Sequence, residues 1–166
     1  MDCAIIPMAE EHRQAVIDIF NFYVENSFAA FPEQKLPYPM FDMLLSMSRN
    51  YPSGVIQNQD GKVVGFGMLR AHNPMPAFLH TAEVSYFIDP AHTGNGIGKR
   101  LLDHLEERGR AQGIMSLLAC ISSKNPGSIT FHARNGFVEC GRFKAVAKKK
   151  GVSFDTVWMQ KMLSGP

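Results

Sequence analysis

The sequence predicts an α/β fold: a mixed, mostly antiparallel sheet with helices on both faces. Three observations carry this expectation. Strand-like apolar runs alternate with segments of helical period in the order β-α-α-β-β-β-α-β-α-β-β. Asp60-Gly61 between two apolar runs, and Gly151 between two more, mark antiparallel hairpins. A glycine-rich loop opening an amphipathic helix separates the fourth strand from the fifth, a crossover that leaves this pair parallel or splayed. The 166 residues suit one domain, so 1–166 is read as a single domain.

The elements follow in order. Residues 3–8 read as a short first strand with an edge proline, Pro7. Residues 10–26 place Ala15, Ile19, Phe20, Phe22 and Tyr23 at helical period, and residues 40–49, with Met40, Leu44, Leu45 and Met47, form a second helix. Between them lies a loop holding Pro32 and Pro37. Residues 54–59 and 62–71 form strands around Asp60-Gly61, because glycine tolerates positive φ. After a loop with Pro74 and Pro76, residues 80–88 form a fourth strand, ended by Asp89-Pro90. From Gly94 the chain passes into a helix reaching Gln112, with Ile97, Leu101 and Leu105 on one face. Residues 114–121 are nearly all apolar, as in a strand covered on both faces. A short helix at 125–135 is capped by Gly136, and residues 137–148 and 153–162 form the last two strands.

Composition narrows the function. Hydrophobic residues make up 45% of the chain and charged ones 19%, so a packed core is expected and disorder is not. The longest uncharged stretch is 13 residues, too short for a membrane span of about 20. The first residues lack a basic region followed by an apolar run, so no secretory signal is expected. A net charge of +2 gives no case for a nucleic-acid partner. Three unclustered cysteines (Cys3, Cys120, Cys140) fit a reducing cytoplasm, and the six histidines show no metal-ligand spacing, so no metal is expected.

The segment Thr93-Gly94-Asn95-Gly96-Ile97-Gly98-Lys99 is the most informative. Alternate glycines let a backbone approach a ligand, and a helix beginning there adds free N–H donors and the positive end of its dipole. Together these suit a phosphate or diphosphate. The dinucleotide fingerprint G-x-G-x-x-G fails, with Lys99 or Leu101 at its last position, and the P-loop fails because Arg100 follows Gly98-Lys99.

What fits is the coenzyme A signature of the GNAT superfamily of N-acetyltransferases, (Gln/Arg)-x-x-Gly-x-(Gly/Ala), with Thr93 in place of the first Gln or Arg. Residues 81–90, with Ala82-Glu83, resemble that fold's fourth strand, while Asn125-Pro126-Gly127-Ser128 and residues 131–137 resemble its last block. The resemblance covers roughly 51–162, is compatible with the opening helices, and is greatest to the phosphinothricin acetyltransferase branch. It implies the GNAT fold with splayed fourth and fifth strands, acetyl-coenzyme A as acyl donor, a primary amine on an amino acid or analogue as acceptor, and a homodimer. The donor's arm would lie along Phe87 and Ile88, its diphosphate on the amides of Gly94, Asn95, Gly96, Ile97, Gly98 and Lys99, and Asn125 and Ser128 would bond the arm.

The chemistry adds two candidates. An alkylammonium with a pKa near 10 must lose a proton before it attacks a thioester. Glu83 is the candidate base, directly or through water; the alternative is an ion-paired strand glutamate. His132 stands where many relatives have Tyr, and either protonates the departing thiolate or packs beside the coenzyme. With no activated nucleophile in view, direct attack in a ternary complex is expected rather than an acetyl-enzyme. Phe31, in the loop before Pro32, and Met75 and Phe78, in the loop before strand four, are candidate walls of the acceptor pocket or ordinary core cover. Lys148-Lys149-Lys150 is expected to solvate a hairpin tip. Two other readings remain: acetylation of a peptide or protein amine, and a coenzyme-A-binding sensor without turnover.

Overall fold

The computed structural model describes residues 3–163. Seven strands form one sheet in the order β1-β2-β3-β4-β5-β7-β6. These are β1 (Ala4–Ile6), β2 (Ser53–Gln57), β3 (Val63–Ala71), β4 (Thr81–Ile88), β5 (Ser116–Ser122), β6 (Val138–Lys149) and β7 (Val152–Met162). Every pairing is antiparallel except β4 with β5, which is parallel. Four helices, α1 (Arg13–Asn26), α2 (Phe41–Met47), α3 (Ile97–Ala111) and α4 (Pro126–Arg134), complete the mixed α/β architecture.

Two buried clusters show how the layers stack. Val16, Ile17 and Ile19 of α1 and Phe41 and Leu44 of α2 pack with Val55, Phe66 and Met68 on one face of the sheet. Leu101, Leu102 and Leu105 of α3 meet Leu69, Ala82, Val84 and Leu117 on the other. Small residues let α3 come close: a Cβ at Gly67 would stand 3.0 Å from Leu101 Cδ2 and 3.1 Å from Leu105 Cδ1. Glu106, 3% exposed on α3, is held by Lys161 of β7 at 2.6 and 2.8 Å.

The structure adjusts several expected boundaries. The first strand is shorter, the first helix begins with a 3₁₀ turn at Glu10–His12, and the second is preceded by one at Tyr38–Met40. The hairpin at Asp60-Gly61 has a wider loop than two residues. Asn58 accepts from the backbone N–H of Asp60 and Lys62, so β2 ends at Gln57 and β3 starts at Val63. The tight hairpin is the later one, where Lys150 and Gly151 both have positive φ (50° and 77°). Among the described residues no helix is long and apolar enough to cross a membrane.

Candidate active site

The crossover from β4 to α3 is built to leave main-chain donors free. Asp89 Oδ1 accepts from Ala91 N at 3.1 Å, closing the turn Pro90–His92, and Thr93 Oγ1 donates to the Pro90 carbonyl. Gly94 and Gly96 have φ of 79° and 77°, and a side chain at either would meet no atom within 4 Å. Conformation, not crowding, therefore asks for glycine. The first bond of α3 runs from Arg100 N to Gly96 O at 3.1 Å. Among the described residues, no backbone N–H from Gly94 through Lys99 donates to a protein acceptor. Six consecutive donors at a positive helix end make an anion cradle. The side chains contribute little: Ile97 is buried as an anchor, Asn95 is exposed, and Lys99 pairs with Asp103.

Next to this loop the sheet opens. Among the described residues, Thr81↔Ser116, Ala82↔Leu117 and Glu83↔Leu118 are the only parallel pairs, and Val84 to Ile88 have no partner on β5. Asp89 N donates to Val64 O at 2.8 Å, which, with Gly65 opposite Ile88, makes Phe66↔Phe87 a hydrogen-bonded pair. The main chain of Phe87 is thus turned to β3. This corrects the expectation that it faces the opening; alternate residues Tyr86 and Ile88 do so instead. The Ile88 carbonyl accepts from the Tyr23 hydroxyl at 2.6 Å, and the Phe87 ring packs with Phe20, Tyr23 and Phe66 on the α1 side.

On the α3 side of the opening, Asn125 caps α4 through its Oδ1, which accepts from Ser128 N at 3.2 Å. The Ser128 carbonyl sits 2.7 Å from His132 Nδ1, and Tyr86 Oη 2.6 Å from His132 Nε2. A carbonyl only accepts, so Nδ1 carries the proton and Nε2 receives the Tyr86 hydroxyl. Burial pushes the His132 pKa down and the Tyr86 pKa up, which keeps both neutral in these roles. His132 is 4% exposed, stacked on Tyr86 and edge-on to Phe137. With both ring nitrogens spent inside the protein, the geometry favours packing and hydrogen bonding over proton donation. Tyr86 escaped the sequence reading because a tyrosine in a strand has an ordinary core role.

On the α1 side, Glu83 stands at the last parallel pair, and its side chain is 13% exposed. Arg70 faces it across β3 and β4, with NH2 2.6 Å from Oε2, and His72 Nδ1 lies 3.0 Å from Oε1. The ion pair weighed as an alternative for Glu83 is therefore present. The His72 ring is edge-on to Phe78 and Trp158 at 6.1 and 6.2 Å. Cys120, opposite Trp158 on β5, has its thiol pushed up to about 11 by burial and by the Glu83 charge, so it is protonated. Arg70 and His72 were not singled out from the sequence. Their signal was alternation: Arg70 near the end of β3 and His72 just past it continue the every-second-residue series of Phe66 and Met68.

The loop after α1 closes this face. Phe28 and Phe31 pack on Phe154 of β7 at 5.6 and 6.0 Å. Lys149 is 1% exposed and donates to the carbonyls of Ser27 and Ala30 at 2.8 and 2.7 Å. This corrects the solvating role expected of the lysine run, since burial and neighbouring Lys150 push the Lys149 pKa down. Lys150 in turn bonds the Glu25 carbonyl and, through its backbone, Glu33. Phe31 and Phe78 are 43% and 39% exposed, while Met75 stands out in solvent at 63%.

Residues 16–137 match the model of the Acetyltransferase (GNAT) family. A Pseudomonas aeruginosa L-methionine sulfoximine/L-methionine sulfone acetyltransferase is 36% identical over 112 residues; the alignment spans 68% of this chain and 65% of that protein. The phosphinothricin N-acetyltransferase of Alcaligenes faecalis is 30% identical, over 98% of this chain and 83% of its own. A Sinorhizobium meliloti phosphinothricin acetyltransferase, solved with acetyl-coenzyme A, superposes with a TM-score of 0.92 at 28% identity, covering 99% of this chain and 90% of its own. With its parallel pair opening beside a glycine loop, and with these matches, the chain belongs to the GNAT acetyltransferase family.

Proposed function

We propose that the chain is an acetyl-coenzyme-A-dependent N-acetyltransferase acting, as one domain, on the primary amine of an amino acid or analogue. The run of free amides from Gly94 to Lys99 beside the opened β4–β5 pair carries this reading. A diphosphate matches the cradle, and an extended amide-bearing arm matches the edge of β4 at Tyr86 and Ile88, which has no strand partner on β5. An N–H there also suits polarisation of a thioester carbonyl. The Asn125 side-chain amide and Ser128 lie at the start of α4 to bond the arm. The coenzyme supplies an activated acetyl group; the chain orients it and receives the amine on the opposite face.

That face fits an amino-acid-like acceptor of moderate size. Phe31, Trp158 and Phe78 offer apolar contact, with Phe154 buried behind Phe31, while Arg70, His72 and Glu83 supply polar groups. Relatives named for methionine sulfoximine and phosphinothricin support the same class. Direct attack in a ternary complex suits a site whose nearest thiol, Cys120, is held protonated. The free cysteines suit a cytoplasmic setting. A homodimer is supported by β6, an outer strand with Val138, Phe143 and Val146 at 70%, 60% and 59% exposed.

Calorimetry with acetyl-coenzyme A, followed by thiol release over a panel of amino acids and analogues, tests the proposal. Binding with release on one such amine is expected. No binding at millimolar donor overturns the enzyme reading, and release only with peptides overturns the acceptor class. Size exclusion at the monomer mass overturns the dimer.

A further inference from the structure

We propose that His72 is the base that takes the proton from the acceptor ammonium, with Glu83 as the carboxylate that orients it. The inference rests on the acetyltransferase reading and reassigns the base within that site.

Four observations lead to it. First, neither oxygen of Glu83 is free: Oε2 is 2.6 Å from Arg70 NH2 and Oε1 is 3.0 Å from His72 Nδ1. A carboxylate committed to a guanidinium and an imidazole is poorly placed to accept a third proton donor. Second, the carboxylate only accepts, so His72 Nδ1 carries the hydrogen and Nε2 presents a lone pair. Carboxylate, imidazole and a free nitrogen are the parts that activate a nucleophile elsewhere in chemistry, with the carboxylate fixing the tautomer and stabilising the imidazolium. Third, the rings of Phe78 and Trp158 hold the imidazole edge-on at 6.1 and 6.2 Å, while its side chain remains 32% exposed. It is oriented yet within reach of a ligand and of solvent. Fourth, Glu83 is the last residue paired with β5, which puts the dyad at the apex where β4 and β5 part.

The charged and titratable groups around His72 are few. β3 contributes Arg70, β4 contributes Glu83, and β5 contributes Cys120 beside Glu83; Trp158 of β7 and Phe78 are without charge.

The step balances as follows. The ammonium gives one proton to His72 Nε2, which passes it to solvent. The amine lone pair forms the C–N bond to the acetyl carbon as the C–S bond breaks and its electron pair leaves on sulfur. The second proton shed by nitrogen ends on that sulfur, giving amide and free thiol.

The test compares wild type with His72→Asn and His72→Ala. The readouts are the pH profile of kcat/KM for the best amine, calorimetry with acetyl-coenzyme A, and rescue by added imidazole. With His72 as base, kcat/KM falls about 10²- to 10³-fold in both variants. The acid limb of the wild-type profile then disappears, donor affinity stays within twofold, and imidazole restores rate to His72→Ala. Rates within threefold of wild type, or a variant that keeps the wild-type acid limb, overturn the inference and leave the enzyme reading intact. Wild-type protein that binds the donor but releases no thiol with any amine overturns the enzyme reading itself. Circular dichroism of both variants controls for folding. If neither folds, the same profile on His72→Gln decides on the same criteria.

Discussion

Lys149 of the β6–β7 hairpin and Ala30 of the loop after α1 are 119 positions apart in sequence, yet the ammonium of one lies 2.7 Å from the carbonyl of the other. The same ammonium holds Ser27. Two carbonyls, that of Ala30 buried and that of Ser27 partly so, therefore depend on one side chain, and the loop carrying Phe31 depends on both.

Lys149→Met tests that tether. Leaving these carbonyls without donors costs roughly 1–3 kcal/mol, so the urea midpoint falls. Because Phe31 loses its fixed position on Phe154, the acceptor KM rises about tenfold while the dissociation constant for acetyl-coenzyme A stays unchanged. Parallel steady-state kinetics and calorimetry separate the two.

The glycine loop yields a second expectation. Ala at position 96 would be held at φ 77°, which costs about 1–2 kcal/mol even though no atom crowds it. Gly96→Ala thus lowers the melting temperature and weakens donor binding, because relaxing φ turns the amides away. Thr93→Arg acts in the opposite direction. Thr93 is exposed and its hydroxyl bonds only the Pro90 carbonyl, so a guanidinium there adds a phosphate contact at little structural cost. Calorimetry is expected to show several-fold tighter binding, with a gain that shrinks as salt rises.

The third concerns Tyr86 and His132. Tyr86→Phe leaves His132 Nε2 buried without a partner and costs about 1–3 kcal/mol. The pH dependence follows from the lowered His132 pKa. Below its ordinary 6.5, the unfolded chain takes up a proton that the folded chain refuses, so stability falls as the pH drops. His132→Gln removes this titration. Between pH 7.5 and 5, wild type should lose more denaturant stability than the glutamine variant; equal losses would count against a buried neutral imidazole.

A fourth variant probes the α3–β7 link. Lys161→Met strands the buried Glu106 carboxylate with only Arg110, 3.4 Å away, as a partner. A loss of roughly 3–5 kcal/mol is expected, partly recovered by Glu106→Gln in the double variant. Thermal unfolding of the four proteins closes the cycle.

Much of the fold could be read in the sequence because its signals are local. Ile97, Leu101 and Leu105 announce the α3 stripe, and Gly94, Gly96 and Gly98 announce the loop by requirements of the backbone alone. Residues that depend on distant partners were hidden. Nothing near Lys149 in sequence says that its ammonium will be buried under Ser27 and Ala30. The roles of Phe87 and Tyr86 depend on a register parity that only cross-strand pairing fixes. Glu83 was legible as a charged residue at a telling place, but its commitment to Arg70 and His72 joins two strands and a loop end.

The opening between β4 and β5 has a mechanical side. Only three residue pairs join the half-sheet of β1 to β4 to the half-sheet of β5, β7 and β6, whereas seven pairs join β3 to β4 and seven join β5 to β7. The two half-sheets are slabs joined by those three pairs and by the shared core under α3, and a donor lodged in the gap would act as a keystone between them. Slowed amide exchange in both slabs together on adding acetyl-coenzyme A would be the mark of such an arch.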